Sequence, residues 1–236
     1  MAVWAQKVFW SNVTVAKSTG GYTILLDERG LKTPLKFTLE VPTENLALAI
    51  ADEWRVLEKH VDPEKLPITK LANSAIDNVA VQFEPIIEML AEYAATDLLC
   101  YRATSPVGLA DRQEQIWQPL LYWFERTHGV TLKVGSGVMP ISQSADVLDM
   151  CSRLLATYSN FALAAIYDLI SLSGSFVIGL AVADEYLAVS DGWDASRIDE
   201  DWQIQEWGDD EDARSLAQSR RIAFERAAFV LKLLKK

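Results

Sequence analysis

The chain has 236 residues, half of them hydrophobic, and carries a formal net charge of −11 at pH 7. This length is sufficient to bury a core without disulfides or metals as staples, whereas so acidic a chain disfavours nucleic acid and anionic membrane surfaces as partners. The longest apolar run, residues 176–183, is about half of what a membrane-spanning helix needs. We therefore expect no insertion into a membrane.

Two features of the sequence bear on the cellular compartment. The two cysteines, Cys100 and Cys151, each stand alone in an apolar, helical context, which predicts buried thiols in a reducing compartment and not a disulfide framework. The first residues show neither a signal-peptide pattern nor a transit-peptide pattern. Together these observations favour the cytoplasm or an equivalent compartment.

Residues 8–40 are predicted to form a small antiparallel meander. Partly alternating Val and Thr at residues 8–15 predict a first strand, residues 22–26 a second and residues 37–41 a last one. Gly-containing turns are predicted at residues 19–21 and 27–30. So few strands cannot enclose a large core by themselves, so further structure must cover this sheet.

After Pro42 the apolar period changes from two to about 3.6 residues, which is typical of helices. Thr43 is the predicted N-cap of the first helix. Further helices are predicted over residues 69–79, 85–96, 109–128, 144–157, 160–173 and 176–189, with a short strand over residues 130–134. The sequence thus predicts an α+β fold with an N-terminal β lobe over residues 1–41 and a larger helical lobe over residues 42–236.

The most unusual stretch of the chain is residues 198–212, which hold eight of the 33 carboxylates and no Lys or Arg. We predict a helix from about residue 195 to Trp207, ended by Gly208, and a final helix over residues 209–234. On the first of these helices Asp199, Trp202 and Glu206 recur at spacings of three and four residues. They therefore share one face of the helix.

This acidic helix is the candidate partner-binding site. A tryptophan between two carboxylates suits a partner that carries Arg or Lys, which would bind through ion pairs and a cation–π contact. The full candidate set consists of Asp199, Asp201, Trp202, Gln205, Glu206 and Trp207. In a second interpretation Trp202 and Trp207 are core residues and the acids only solubilise the helix. In a third, the acids are neutralised within the chain by Arg214, Arg220 and Arg221.

No pattern typical of a catalytic or cofactor site occurs in the sequence. It contains no GxSxG, GxxxxGK[ST], GxGxxG, CxxC or HExxH motif, and the acidic stretch lacks the residue order of an EF-hand loop. Asp199 and Asp201 are two residues apart, so on a helix they point away from each other. We expect neither a cofactor nor an enzymatic activity. A stable structural subunit and a carboxylate-based metal protein or enzyme are the alternatives.

Eight short segments carry a resemblance to a known family. They are FWSNVTV at residues 9–15, GYTILLD at 21–27, LKTP at 31–34, EW at 53–54, LANSAID at 71–77, TDLLCYR at 96–102, LSGS at 172–175 and EWG at 206–208. In this order, over nearly the whole chain, the set resembles the family of the mitochondrial F(1) assembly factor 2 and its α-proteobacterial relatives. These proteins are assembly chaperones specific for the α subunit of the F(1) sector of ATP synthase.

The resemblance implies a β lobe followed by a helical lobe and a non-enzymatic activity. Members hold the unassembled α subunit and shield its β-facing surface until the α3β3 head forms. The implied partner is thus the F(1) α subunit, bound transiently. We expect the free chaperone to be a monomer. The lack of a transit-peptide pattern fits a bacterial, cytoplasmic member better than a mitochondrial precursor, and the mitochondrial matrix is the compartment of the eukaryotic relatives. Within the EWG motif, Glu206 matches a carboxylate taken to be functionally critical. A structural role is expected for the motif residues Trp54, Asn73, Asp77, Gly174 and Gly208.

Overall fold

A computed structural model describes residues 7–137 and 139–235. Its N-terminal part is a small antiparallel sheet and the rest is largely helical, which confirms the predicted α+β class. The four strands of the sheet are β1 (Val13–Ser18), β2 (Gly21–Leu26), β3 (Arg29–Gly30) and β4 (Glu40–Val41). Strand β2 is central, because β1, β3 and β4 all pair with it in antiparallel fashion.

The first strand starts later than the sequence predicts, at Val13 instead of residue 8. The residues just before it are held in another way, since a side-chain oxygen of Asp27 accepts hydrogen bonds from the backbone N–H groups of Ser11 and Asn12 at 3.0 and 2.9 Å. Asp27 belongs to the turn after β2, so one carboxylate joins the end of GYTILLD to the middle of FWSNVTV.

Most helices begin and end close to the predicted residues. The helix predicted over residues 176–189 is an exception, because it ends at Ala183 and a separate helix follows from Val189 to Ala195. Thr43 caps the first helix, with its hydroxyl accepting from the N–H of Leu46 at 3.3 Å. The helix Pro67–Ser74 continues without a break into a π-helical turn, Ala75–Val79. In the described residues the α-helices are α1 (Glu44–Arg55), α2 (Pro67–Ser74), α3 (Phe83–Ala95), α4 (Val107–His128), α5 (Ala145–Leu155), α6 (Asn160–Ser173), α7 (Phe176–Ala183), α8 (Val189–Ala195), α9 (Ile198–Trp207) and α10 (Glu211–Leu233).

The strand predicted over residues 130–134 is wrong in position. The strand in this region is β6 (Gly135–Ser136), which pairs in parallel with β5 (Tyr101–Arg102). Both backbone groups of Lys133 are already engaged by the side-chain amide of Gln143, at 2.9 Å for each bond. The alternation that suggested a strand instead reflects burial of Val130 and Leu132.

The chain divides into two compact units. One comprises the residues up to Phe83, Ser159–Ala165 and the residues from Phe229 onward, and the other comprises Glu84–Tyr158 and Ile166–Ala228. The predicted lobe boundary after residue 41 thus lies inside the first unit, and a domain division at that point stays a prediction.

Each unit has its own buried side chains. In the first unit Ile24 of β2 and Leu46 and Ile50 of α1 are fully buried. In the second unit α7 is buried along nearly its whole length, as its uniformly apolar sequence predicts, and Phe176 packs edge-on against Phe124 at 5.9 Å between ring centroids. No helix in the described residues is long and apolar enough to cross a membrane.

Both cysteines are buried with free thiols, as predicted. They lie in the second unit, and burial raises the pKa of Cys100 and of Cys151 to about 12. Each thiol therefore stays protonated at neutral pH and behaves as a small apolar side chain.

Candidate functional site

Two motif segments of the second unit, TDLLCYR and LSGS, meet at Asp97, a carboxylate with no exposed surface. Its oxygens accept hydrogen bonds from the N–H of Leu99 at 2.9 Å, the hydroxyl of Ser175 at 2.9 Å and the N–H of Val177 at 3.1 Å. Ser175 in turn caps α7, since its hydroxyl accepts from the N–H of Ile178 at 3.0 Å. TDLLCYR and LSGS are thus joined through one side chain that fixes the start of α7.

Burial raises the pKa of Asp97 to about 6, in spite of the donors around it. The donors favour the charged form, and the loss of hydration outweighs them. Nearby, Gly174 has a φ of +70°, which glycine adopts without strain, and its N–H donates to the carbonyl of Ile170 at 2.9 Å. Gly174 therefore ends α6 at the point where LSGS turns into α7.

The EW motif of the first unit is also engaged internally. The Glu53 carboxylate accepts from the backbone N–H groups of Ile68 and Thr69 at 2.6 and 2.8 Å, which are donors in the first turn of α2. The indole N–H of Trp54 donates to the Thr69 hydroxyl at 3.1 Å, and its ring lies 5.3 Å from the ring of Trp10. Both motif residues join α1 to α2.

LANSAID packs against the loop that follows LKTP. Asp77 is buried in the π-helical turn, and one of its oxygens accepts from the N–H of Leu35 at 3.1 Å. Its other oxygen and the side-chain oxygen of Asn73 are buried without a hydrogen-bond partner in the described residues. These two motif residues thus contribute to packing of the first unit.

EWG differs from all these segments. The Trp207 side chain is 81% exposed, so the interpretation of Trp207 as a core residue is excluded. Glu206 beside it is exposed, and its carboxylate makes no hydrogen bond or ion pair with the described part of the chain. Gly208 ends α9 as predicted, with a φ of +90° and its N–H donating to the carbonyl of Ile204 at 2.9 Å.

The face predicted to bind a partner is instead largely occupied by α4. An oxygen of Asp199 accepts from the side-chain N–H of Gln113, a buried residue, at 2.6 Å. The Arg112 guanidinium lies 5.3 Å from the centre of the Trp202 ring, and it also donates to the side-chain oxygen of Gln205 at 3.3 Å. The cation–π contact expected with a partner is thus made within the chain.

Trp202 can approach α4 this closely because Gly108 lies beneath it. A Cβ atom at Gly108 would stand 2.8 Å from Cη2 of the Trp202 ring, closer than any real contact allows. The half-buried Trp202 ring therefore fills space that the missing side chain leaves free.

The acids of this stretch are only partly neutralised by the chain itself. Asp201 lies 3.5 Å from Arg197, which also lies 3.9 Å from Glu200. Arg214 pairs with Asp209, as the third interpretation predicted, whereas Arg221 pairs with Glu225 at 2.9 Å. Among the described residues, no group of three or more His, Cys, Asp or Glu side chains is arranged to hold a metal ion.

A groove lies between α9 and α10, which is the feature that sequence reasoning missed. After Gly208 the chain turns back, so that α10 runs along α9. The two helices form the walls of an open groove with a volume of about 390 Å³. The apolar lining residues are Ile204, Trp207, Ala213, Leu216 and Ala217, and charged lining residues include Arg197, Glu200, Asp209, Asp210 and Arg220. The spacing of Ala213, Leu216 and Ala217, three and four residues apart, is the signal that could have predicted it.

The fold is shared by solved chaperone structures. Two structures of Atp12 from Paracoccus denitrificans, one an aspartate-to-lysine variant, are 40% identical in sequence with a TM-score of 0.94, covering 98% of this chain and 98–99% of theirs. A protein from Agrobacterium tumefaciens described as a candidate chaperone is 37% identical with a TM-score of 0.90, covering 97% of this chain and 86% of its own.

The sequence comparisons define the family. A profile described as ATP12 chaperone protein matches residues 7–125. The mitochondrial protein atp12 of Schizosaccharomyces pombe is 29% identical over 220 residues, which cover 88% of this chain and 76% of the relative. The chain therefore belongs to the ATP12 chaperone family. This confirms the resemblance drawn from the eight ordered segments and the expectation of an assembly chaperone.

Proposed function

We propose that this protein is the F(1) assembly chaperone that binds the unassembled α subunit of ATP synthase. Membership of the ATP12 chaperone family supports a chaperone role, and the ordered motif set supports the α subunit as the client. The chaperone shields the β-facing surface of α and leaves when the α3β3 head forms. We further propose that it acts as a monomer in the cytoplasm of a bacterium.

An unassembled subunit needs such a partner for a physical reason. Its future interface exposes on the order of 2,000 Å² of surface with an apolar centre, which would aggregate if left uncovered. The chaperone must also release the client, so its own contact surface should combine a small apolar area with a polar rim. Acidic residues at the rim speed the encounter with a basic partner and make the complex sensitive to salt.

The observation that carries the site assignment is the exposure of Glu206 and Trp207. A tryptophan that is 81% exposed adds nothing to a core, and an acid with no partner in the described residues adds no internal ion pair. Exposed aromatic residues of this kind are the usual anchors of protein interfaces. The other predicted site residues hold this surface in place through contacts within the chain. They are Asp199, Asp201, Trp202 and Gln205.

The client is tested by suppression of aggregation of isolated α subunit, with isolated β subunit as a parallel client. Protection of α alone, saturating near one chaperone per client, is the expected result. Protection of both subunits, or of neither, contradicts the proposal. A stable structural subunit is distinguished by purifying the finished synthase, from which a chaperone is absent.

The site is tested with Glu206→Lys, which reverses an exposed and unpaired charge. We expect affinity for α to fall by about tenfold or more, with an unchanged melting temperature. Asp149→Lys on α5 makes the same charge change at another exposed position and should leave binding intact. Loss of affinity in both variants would indicate only a long-range charge effect.

A further inference from the structure

Helix α10 is divided into an exposed first part and a buried later part. From Glu211 to Arg220 nearly every residue is exposed, whereas Phe224, Ala227 and Ala228 are buried in the second unit. The exposed part nevertheless carries a large apolar side chain, Leu216, with 61% of its surface in solvent. These turns of the helix therefore bury little of their own surface against the rest of the described chain.

Leu216 and Trp207 stand on the two walls of the α9–α10 groove. Ile204 and Trp207 come from α9, and Ala213, Leu216 and Ala217 come from α10. The small side chains of the two alanines keep the groove open. From Ala213 to Arg220 the α10 wall is about 10 Å long, which is roughly two helical turns.

The charges of the groove are separated along its length. Asp209 and Asp210 lie where α9 turns into α10, and the unpaired Glu206 is next to this end. Arg197, Glu200 and Arg220 line the groove away from the turn. Arg197 lies beside Glu200 and Asp201, whereas Arg220 has no acidic partner in the described residues. Trp193 and Phe224 lie beyond them, with their ring centroids 5.8 Å apart. The groove thus has an acidic end, an apolar middle and, at its other end, Arg220 as a cation without an acidic partner in the described residues.

We propose that this groove receives one amphipathic helix of the bound α subunit. The helix places an apolar stripe at i, i+3, i+4 and i+7 on Trp207 and Leu216, a basic residue over the α9–α10 turn and an acidic residue beside Arg220. This inference rests on the proposed function, since the client is the α subunit. It adds the form and charge order of the segment that is held.

A helix fits this groove better than an extended segment. Both walls are helices, whose N–H and C=O groups are bonded along their own axes, so the groove offers no strand edge for a client strand to join. Side chains of a third helix can pack between the rows presented by α9 and α10, as helices do in bundles. The acids at the α9–α10 turn and Arg220 at the other end also fix the direction in which the helix lies.

The inference is tested by titrating purified α subunit with groove variants. Leu216→Asp places a charge in the apolar middle, and we expect affinity to fall by about 30-fold or more. Tyr122→Asp is the matched control, because Tyr122 lies on α4 in the same unit and is similarly exposed at 62%. It should change affinity by no more than about twofold. Melting temperatures of both variants establish that they fold.

The outcomes separate this inference from the proposed function. If the wild-type protein fails to bind α, the proposed function is wrong. If α binds the wild type and binds Leu216→Asp equally well, the client is right and the groove is overturned as its docking site. Arg220→Glu provides a second test, because reversal of the Arg220 charge should weaken binding and a matching charge reversal in the client helix should restore it.

Cross-linking identifies the form of the occupant. In Ala213→Cys the new thiol is exposed, whereas Cys100 and Cys151 are buried, so a photoreactive maleimide labels the groove selectively. The expected product joins Ala213→Cys to a segment of α that is helical and has the stated apolar spacing. A cross-link to an extended segment, or none from a complex that has formed, contradicts a helix in this groove.

Discussion

Asp97 and Glu206 are both carboxylates of motif segments in the second unit, yet their surroundings are opposite. Asp97 has no exposed surface and accepts hydrogen bonds from Leu99, Ser175 and Val177. Glu206 is exposed and has no partner among the described residues. The same chemical group therefore joins elements of the fold in one motif and is available to another molecule in the other.

The difference follows from the cost of burying a polar group. A buried carboxylate must be matched by donors, so its neighbours are determined by the fold. An exposed carboxylate is solvated whether or not a partner is present, so the fold does not require it. A buried motif carboxylate with internal donors is explained by structure, and an exposed one without them needs an explanation in binding.

Replacing Asp97 by Ala should cause the largest loss of stability. It leaves the N–H groups of Leu99 and Val177 and the Ser175 hydroxyl without their acceptor in the interior, at a cost of about 2–4 kcal/mol in the free energy of unfolding. Urea unfolding at equilibrium measures this. Asp149→Ala, an exposed acid on α5, is the control and should change stability by less than about 0.5 kcal/mol.

The raised pKa of Asp97 predicts how stability depends on pH. The folded protein keeps this proton up to about pH 6, whereas the unfolded chain releases it near 3.8. The contribution is therefore complete below about pH 4 and is lost as the pH rises through 6, by up to about 3 kcal/mol. Asp97→Asn should remove this part of the pH dependence. If the free energy of unfolding of Asp97→Asn changed between pH 4 and 6 as steeply as that of the unsubstituted protein, Asp97 would not be the group that titrates.

Glu53→Ala should have a smaller effect, of about 1–2 kcal/mol, because its hydrogen bonds to the start of α2 are only partly buried. Thermal unfolding followed by circular dichroism measures the change. Glu88→Ala, at an exposed position of α3, serves as the control. Equal effects of the two substitutions would mean that Glu53 does not support α2.

Trp207→Ala should have the smallest effect on stability, within about 0.5 kcal/mol, since most of the side chain is already in water. Affinity for α should nevertheless fall by about tenfold or more. Together the two measurements test whether EWG serves binding and is not needed for the fold. Unfolding of Trp207→Ala, or unchanged binding by it, would contradict this assignment.

The sequence predicts local structure well and tertiary partners poorly. The end of α9 at Gly208 and the cap of α1 at Thr43 depend on neighbouring residues, and both are confirmed. The contact between Arg112 and Trp202 joins α4 to α9 across some 90 residues of sequence, so no local pattern could predict it. The groove was missed for the same reason, because it exists only when α10 turns back along α9.

The two-part character of α10 has a consequence for hydrogen–deuterium exchange. Amides in its exposed first part can open by local fraying, whereas those near Phe224 and Ala227 exchange only when the surrounding core opens. One uninterrupted helix should therefore show fast and slow protection in succession. A ligand that occupies the exposed part would slow only the fast amides, so isotope uptake along α10 would locate the ligand without any substitution.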